Sequence, residues 1–141
     1  MQKTLLMIKP DATERALGGR ILARVEEAGL RVERLKLVRL RDAEAREFYR
    51  VHAGKPFLEA LVAYIASGPV WAAVLSGEDA IARLRELVGA TDPARAAPGT
   101  LREAFGCDLR RNAVHASDGP ESAAAEIGFF GLTEERDARG G

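Results

Sequence analysis

One histidine stands in a context that suits chemistry on an anion. His115 follows the apolar pair Ala113-Val114, and Ser117 and Asp118 come directly after it. Gly119-Pro120 follows, and proline fits the first helical turn because its missing N–H would be unpaired there anyway. The pattern therefore predicts a strand that carries the histidine and then a helix over about 120–130.

That helix also offers a partner for the imidazole. Ala123, Ile127 and Phe130 have the i, i+4, i+7 spacing of an apolar face. Glu126 lies beside this face and can point back toward His115. A carboxylate that holds the ring, with a helix N-terminus nearby that favours anions, is the outline of a nucleophilic histidine aimed at phosphate. A lone histidine is more often an ordinary core residue, and the pattern alone leaves that alternative open.

Composition limits the classes of protein to consider. The 141 residues are 47% hydrophobic, which is enough for one domain with its own core and predicts a single domain over 1–141. Basic and acidic residues balance at 21 each, so no overall field attracts nucleic acid or an anionic membrane. The single cysteine, Cys107, excludes an internal disulfide and fits a reducing, cytoplasmic location. The apolar run at 5–8 is too short for a signal sequence or a membrane span.

Hydrophobic periodicity predicts an α/β sandwich. The order is β-α-β-α-α-β-α-loop-β-α, which suits a ferredoxin-like four-stranded antiparallel sheet covered by helices, with a helical hairpin and a long loop inserted. A tail at about 133–141 is predicted to be frayed. Strands are predicted at 5–8, 32–40 with a bulge, 70–75 and 109–114, helices at 18–28, 42–49, from about 56 to before 68, 78–88 and 120–130, and the long loop at 90–108.

Phosphate binding has to come from side chains, because neither of the usual glycine-rich phosphate loops occurs. The candidates are Lys9, Arg85, Thr91 and Arg102, each of which by itself is typical of a solvated surface. Phe57 and Leu61, predicted to share the inner face of their helix with Ile65, lie one turn apart and could hold a flat base, or could be ordinary core. His52 has no evident polar partner and is interpreted as a surface residue.

Seven short segments resemble the nucleoside diphosphate kinase family, in the family's order and across almost the whole chain. Together they make a chance match very unlikely. They are Met7-Ile8-Lys9-Pro10-Asp11, Lys55-Pro56-Phe57, Ser67-Gly68-Pro69-Val70, Gly89-Ala90-Thr91-Asp92-Pro93, Pro98-Gly99-Thr100-Leu101-Arg102, Asn112-Ala113-Val114-His115-Ala116-Ser117-Asp118 and Glu126-Ile127.

The resemblance implies a ping-pong enzyme. The γ-phosphate of a nucleoside triphosphate, typically ATP, would pass to His115 and then to any nucleoside diphosphate, with Mg2+ carried by the nucleotide and no metal held by the protein. By the same resemblance the catalytic residues are His115, Glu126, Lys9, Tyr49 and Asn112; the nucleotide contacts are Lys9, Phe57, Leu61, Arg85, Thr91, Arg102, Leu109 and Asn112; and Ser117 and Asp118 support them.

One residue departs from the family pattern. Ala116 stands where the commonest family signature has glycine after the histidine, so a backbone that needed positive φ there would be strained by about 1 kcal/mol. The resemblance further implies a homo-oligomer, either a tetramer or a hexamer. The lack of a long C-terminal arm after the last helix favours the tetramer.

Two other classes of function compete with the kinase. A non-catalytic nucleotide-binding regulator of the same fold would keep the base clamp and lose transfer, and the joint presence of Lys9, Asn112, His115 and Glu126 argues against it. A ferredoxin-like RNA-binding domain needs exposed aromatics on its central strands. The strands predicted at 5–8 and 109–114 contain none, so this class ranks last and no nucleic-acid partner is expected.

Overall fold

The computed structural model describes residues 1–133. Residues 134–141, which hold most of the predicted tail, lie outside the described residues. None of the helices within residues 1–133 is long and apolar enough to cross a membrane. The elements are β1 (Gln2–Ile8), α1 (Pro10–Glu14), α2 (Gly18–Glu27), β2 (Arg31–Arg39), α3 (Asp42–Phe48), α4 (Leu58–Ile65), β3 (Pro69–Gly77), α5 (Ala80–Val88), α6 (Leu101–Phe105), β4 (Val114–Ala116) and α7 (Pro120–Phe129), with 3-10 turns at Arg50–His52 and Pro93–Arg95.

The four strands form one sheet in the order β2-β3-β1-β4, and every neighbouring pair is antiparallel. This confirms the predicted ferredoxin-like architecture. The central strand β1 pairs with β3 along its whole length, from Gln2 opposite Gly77 to Ile8 opposite Trp71. The predicted bulge in the second strand is also confirmed, as a register shift between Val32 and Arg34.

Alternation along β1 separates two hydrophobic cores, one on each face of the sheet. Leu6 and Ile8 point into a core closed by α2, α5 and α6. Leu5 and Met7 point into a core closed by α3, α4 and the end of α7. The strand is buried on both faces, which explains why it reads in the sequence as a continuous apolar run.

The strand predicted at 109–114 is wrong, because β4 covers only Val114–Ala116. The preceding residues form a turn around the Asp108 carboxylate. Its Oδ1 accepts the backbone N–H groups of Arg110 and Arg111, at 3.0 and 2.7 Å, and its Oδ2 accepts the Arg111 guanidinium. These bonds, the backbone one from Arg111 above all, lower the pKa of Asp108 to about 2. An aspartate that satisfies backbone groups in this way competes with strand pairing.

Smaller differences occur at the helices. The short helix α1 was not predicted, and the loop at 90–108 contains α6 and a 3-10 turn. Asp42 is the first helical residue of α3, whose N-cap is Arg41. On α4 the buried face is Leu58, Val62 and Ile65, displaced by one position at its start from the predicted face, because Phe57 is the N-cap residue and stays exposed.

Candidate active site

Strand alternation places His115 on one face of the sheet. Val114 and Ala116 point into the core under α2 and α5, while His115 lies opposite Met7 in the register with β1. Its side chain is 27% exposed, so the ring is sheltered by the protein but open to a ligand. The histidine thus stands in the middle of β4, whereas the strand predicted at 109–114 ended directly before it.

The predicted carboxylate partner lies within hydrogen-bonding distance of the imidazole. His115 Nε2 lies 2.9 Å from Oε1 of Glu126, on the second turn of α7. The Ser117 hydroxyl donates to the same oxygen at 2.7 Å. A carboxylate acceptor favours the neutral tautomer with its proton on Nε2, which leaves the lone pair on Nδ1. The pair therefore orients the ring and sets which nitrogen can act as nucleophile.

The start of α7 is fixed next to this pair. Ser122 Oγ accepts the backbone N–H groups of Asp118 and Gly119 at 3.1 and 3.0 Å, and donates to Asp118 Oδ1 at 2.6 Å. That donated hydrogen bond is the main cause of the lowered pKa of Asp118, with the charge of Arg85 contributing. These bonds satisfy helix N-terminal groups, so Glu126 projects from a well-anchored helix.

Aromatic rings pack around the histidine on its sheet face. Phe48 meets His115 edge to face, with ring centroids 5.3 Å apart, and it contacts Phe129 in the same way at 5.2 Å. Tyr49 is buried beside them, and burial, followed by the charge of Glu126, raises the pKa of its hydroxyl. Tyr49 therefore stays neutral at physiological pH and forms part of the pocket wall.

Two guanidinium groups line the same pocket as the histidine. Arg85 comes from α5, and Arg102 from α6. Arg102 donates to the carbonyls of Val114, at 2.9 Å, and Gly89, at 3.2 Å, which ties α6 to the histidine strand. Burial, and then the nearby charge of Arg85, lowers the pKa of Arg102 to about 10. Two converging cations make this side of the pocket suited to a polyanion.

Lys9 and Asn112 form a buried pair next to Thr91. Lys9 Nζ donates to Asn112 Oδ1 at 2.7 Å and to the Arg110 carbonyl at 2.9 Å. Asn112 Nδ2 donates to the Thr91 carbonyl at 3.0 Å, which brings the long loop to the histidine strand. Burial, with the charge of Arg102 second, lowers the pKa of Lys9 to about 8, although Asp11 raises it.

A pocket of about 510 Å³, within the usual size range of small-molecule sites, is lined by the histidine and the two guanidinium groups. Lys9 and Asn112 do not line it. Seven of the predicted site residues line it, together with Phe48 and the segment 50–52. The seven are Tyr49, Arg85, Thr91, Arg102, His115, Asp118 and Glu126.

Comparison with known proteins identifies the family to which this arrangement corresponds. The family model for nucleoside diphosphate kinase matches residues 2–135. The chain belongs to the nucleoside diphosphate kinase family. It is 53% identical over 130 residues to the nucleoside diphosphate kinase of Desulfovibrio desulfuricans, covering 92% of this chain and 94% of that one. The Roseiflexus castenholzii kinase is 47% identical over 135 residues, covering 96% and 91%.

Solved structures of the family share the fold. The Aquifex aeolicus nucleoside diphosphate kinase superposes with a TM-score of 0.89 at 48% identity, covering 92% of this chain and 94% of that one. A Halobacterium salinarum nucleoside diphosphate kinase in complex with CDP gives 0.88 at 43% identity, covering 92% and 86%. Family membership makes the chain a phosphotransferase with nucleotide substrates, and nothing in the comparisons favours the non-catalytic alternative.

The predicted base clamp lies at the pocket mouth. Phe57 is 45% exposed, and its ring meets the edge of His52, which lines the pocket, at a centroid distance of 5.1 Å. His52 in turn stacks on Tyr49 at 6.1 Å. The interpretation of His52 as a plain surface residue is therefore wrong. Leu61, the second residue of the predicted clamp, is half-buried on α4 and packs against the core. Neither Phe57 nor Leu61 lines the pocket itself.

The structure differs from expectation at two further residues, Leu109 and Ala116. Leu109 is 64% exposed in the turn before β4 and does not line the pocket. Ala116 has the extended backbone of a strand and is absent from the positive-φ residues, so the strain considered for it does not arise. The residue with positive φ in this segment is Ala113, at 75°.

Sequence reasoning missed three contributors to the site. Phe48 gives no signal beyond an aromatic on a helix. Asp11 and Tyr64 are joined by a side-chain hydrogen bond, and Asp11 also reaches the histidine strand. The available sign was the position of Asp11, a polar residue directly after Lys9-Pro10 at the end of the buried strand β1. It indicated that the connection from β1 to α1 holds more than one functional group.

Proposed function

We propose that the chain transfers the γ-phosphate of a nucleoside triphosphate to a nucleoside diphosphate through a phosphohistidine on His115. The observation that carries the proposal is the 2.9 Å bond from His115 Nε2 to Glu126 Oε1, in a pocket that Arg85 and Arg102 also line. Because Nε2 is engaged, Nδ1 is the nitrogen left to receive the phosphoryl group. The guanidinium groups neutralise charge on the transferring phosphate.

The transfer of the phosphoryl group needs no external acid or base. The Nδ1 lone pair forms a bond to the γ-phosphorus, the bond from that phosphorus to the β,γ-bridging oxygen breaks, and the nucleoside diphosphate leaves. The ring becomes a cation that keeps its Nε2 proton, and Glu126 stabilises that cation. In the second half-reaction an oxygen of the acceptor's terminal phosphate attacks the phosphorus, the P–Nδ1 bond breaks, and the ring is neutral again.

Lys9 and Asn112 are proposed to contact the sugar hydroxyl and the phosphates, and Thr91 to contact the phosphates. Mg2+ is proposed to arrive with the nucleotide phosphates. Within residues 1–133 no group of three or more His, Cys, Asp or Glu side chains is arranged to hold a metal ion. The pocket instead presents two guanidinium groups, and the Glu126 oxygen is already engaged by His115 and Ser117. Guanidinium groups cannot coordinate a metal ion, so the ligands of Mg2+ would be phosphate oxygens and water.

Broad base specificity is proposed to follow from stacking on the exposed Phe57 ring. Stacking contributes about 1–3 kcal/mol per base and accepts any base, because every base has a π-face. The Halobacterium salinarum relative in complex with CDP supports a site open to pyrimidines. Phe57→Ala should raise KM for all bases by similar factors, whereas Phe57→Tyr should not; a loss confined to one base would contradict the stacking account.

A homotetramer is proposed as the working form. Strand β2 lies at an edge of the sheet and exposes Leu35 (42%) and Leu37 (59%), and exposed apolar edge strands are normally covered. A second copy of the chain would cover it. Sedimentation equilibrium should give four times the chain mass, and Leu37→Lys should lower it; six times the chain mass would replace the tetramer by a hexamer.

A cytoplasmic location is proposed from the single cysteine and is tested by cell fractionation.

Incubation with γ-labelled ATP and Mg2+, without acceptor, tests the central proposal. Covalent label should form on the wild-type chain in an acid-labile, base-stable form, be discharged by GDP or CDP, and be absent from His115→Ala. Two-dimensional 1H–31P correlation of the phosphorylated protein should place the phosphorus on Nδ1. An unlabelled wild-type protein that still binds ATP would favour the non-catalytic regulator.

A further inference from the structure

The backbone directly before the histidine strand adopts a rare conformation. Ala113 is fully buried with φ of 75°, and the N–H of Val114 donates to the carbonyl of Asn112 at 2.9 Å. Positive φ at the centre of an i to i+2 hydrogen bond is a γ-turn of the strained type. Strain of this kind persists only where the surrounding structure enforces it, and it is common at functional sites.

This γ-turn links the two halves of the site. Asn112, its first residue, carries the side chain bound to Lys9, and Val114, its third, begins the strand that holds His115. A change in the turn would therefore move Asn112 relative to the imidazole. Misplacement by about 1 Å at a reacting centre can cost about 100-fold in rate.

The corner between β1 and α1 enforces the turn by two backbone contacts. The Lys9 N–H donates to the Ala113 carbonyl at 2.8 Å. Asp11 Oδ2 accepts the Ala113 N–H at 3.1 Å. Both backbone polar groups of Ala113 are thus satisfied by Lys9 and Asp11, and a buried backbone N–H without its acceptor would be costly.

The Asp11 carboxylate is itself held firmly. Its side chain is only 4% exposed, and its Oδ1 accepts the Tyr64 hydroxyl from α4. The Tyr64 oxygen accepts the Asp11 backbone N–H at 2.9 Å, and the Arg15 guanidinium lies 3.4 Å from Oδ2. An aspartate in the first turn of a helix also interacts with the helix dipole, but that role does not require burial or a bond to a distant strand.

We propose that Asp11 is a positioning residue, whose carboxylate holds the γ-turn at Ala113 so that Asn112 and His115 face the nucleotide together. This role rests on the function proposed above. Asp11 does not touch the reacting atoms, and its effect passes through the backbone of residue 113.

Rescue by glycine separates this role from a general loss of stability. Asp11→Ala should slow the formation of labelled phosphoenzyme by about 10- to 100-fold, because the turn relaxes away from positive φ. Glycine adopts positive φ without steric cost. Ala113→Gly added to Asp11→Ala should therefore restore most of the rate. Asp11→Asn, which keeps one oxygen acceptor and the side-chain volume, should lie between wild type and Asp11→Ala and provides a variant with little disruption of the fold.

A matched control and a nucleotide-free measurement complete the test. Asp42 also pairs with an arginine four residues later, Arg46 at 3.3 Å, and it does not line the pocket. Asp42→Ala is therefore the matched control and should leave the rate unchanged. In 15N spectra without nucleotide, His115 should show the Nε2-protonated tautomer in the wild type and a mixture in Asp11→Ala, restored by Ala113→Gly. Unchanged tautomer and rate in Asp11→Ala, or a failed rescue, would overturn the positioning role alone. A wild-type chain that takes up no label would overturn the transfer function. The tautomer comparison needs no nucleotide, so it would still test whether Asp11 holds the γ-turn.

Discussion

The carboxylate of Glu126 is expected to contribute to catalysis mainly by stabilising the cationic phosphorylated ring. Glu126→Gln keeps the size of the side chain and a hydrogen-bond acceptor, and removes the charge 2.9 Å from Nε2. Two unit charges at about 4 Å interact by about 4 kcal/mol at an effective dielectric constant near 20. The His115 and Glu126 side chains are 27% and 19% exposed, so solvent screening reduces this value. We expect a net loss of about 1–2 kcal/mol in the transition state, or about 5- to 30-fold in rate.

Rapid-quench measurement of phosphoenzyme formation from labelled ATP gives the relevant rate directly. Glu126→Ala should be slower than Glu126→Gln, because it also loses the acceptor that orients the ring and leaves the Ser117 hydroxyl unpaired. Glu121→Gln, at an exposed site in the first turn of the same helix, is the matched control and should react at the wild-type rate. A wild-type rate in Glu126→Gln would refute the electrostatic reasoning and leave Glu126 a purely steric support.

Three further predictions concern pH and stability. The lowered pKa of Lys9 means that its charge is lost as pH rises through about 8, so kcat/KM should fall across that range, and Lys9→Met should remove this alkaline limb. Gly18→Ala places a Cβ 2.5 Å from the Trp71 ring and should lower stability by about 1–3 kcal/mol in urea unfolding, whereas Gly19→Ala, with open space, should be neutral or stabilising. Thr4→Val removes a buried hydroxyl that has no partner within the described residues, and should raise the thermal midpoint, with a gain of about 1 kcal/mol.

Patterns local in sequence predicted the fold well. The apolar run at 5–8 is a strand buried on both faces, and the spacing of Ile21 and Val25 marks the inner face of α2 before Gly29, which has φ of 89°. The Glu126 partner of His115 could also be predicted, because both lie in a short strand–helix unit where reach follows from helix periodicity. Residue type alone made Arg85, Thr91 and Arg102 only candidates for phosphate contacts, because they lie in separate elements, and the family resemblance is what favours them.

The errors arise where side chains replace regular backbone pairing. The run at 109–114 contains enough apolar residues to predict a strand, but the Asp108 carboxylate satisfies the backbone groups that a strand would have paired. On α4 the choice of inner face depended on where the helix begins, and a shift of one residue exchanges Phe57 for Leu58. Helix starts without a side-chain cap leave this one-residue choice open.

No local sequence pattern could predict the hydrogen bond from the Ala113 N–H to Asp11, because the two residues lie 102 positions apart. Alanine carries no preference for positive φ, so nothing in the type of residue 113 marks a γ-turn. Once the γ-turn is known, the arrangement of Lys9, Pro10 and Asp11 can be explained. Pro10 fixes φ near −65° and begins α1, so Lys9 and Asp11 extend from either side of a rigid residue. One then binds the Asn112 side chain and the other the Ala113 backbone. A rigid corner that contacts two consecutive residues constrains the peptide between them, which is why Asp11 is the residue whose loss Ala113→Gly should repair.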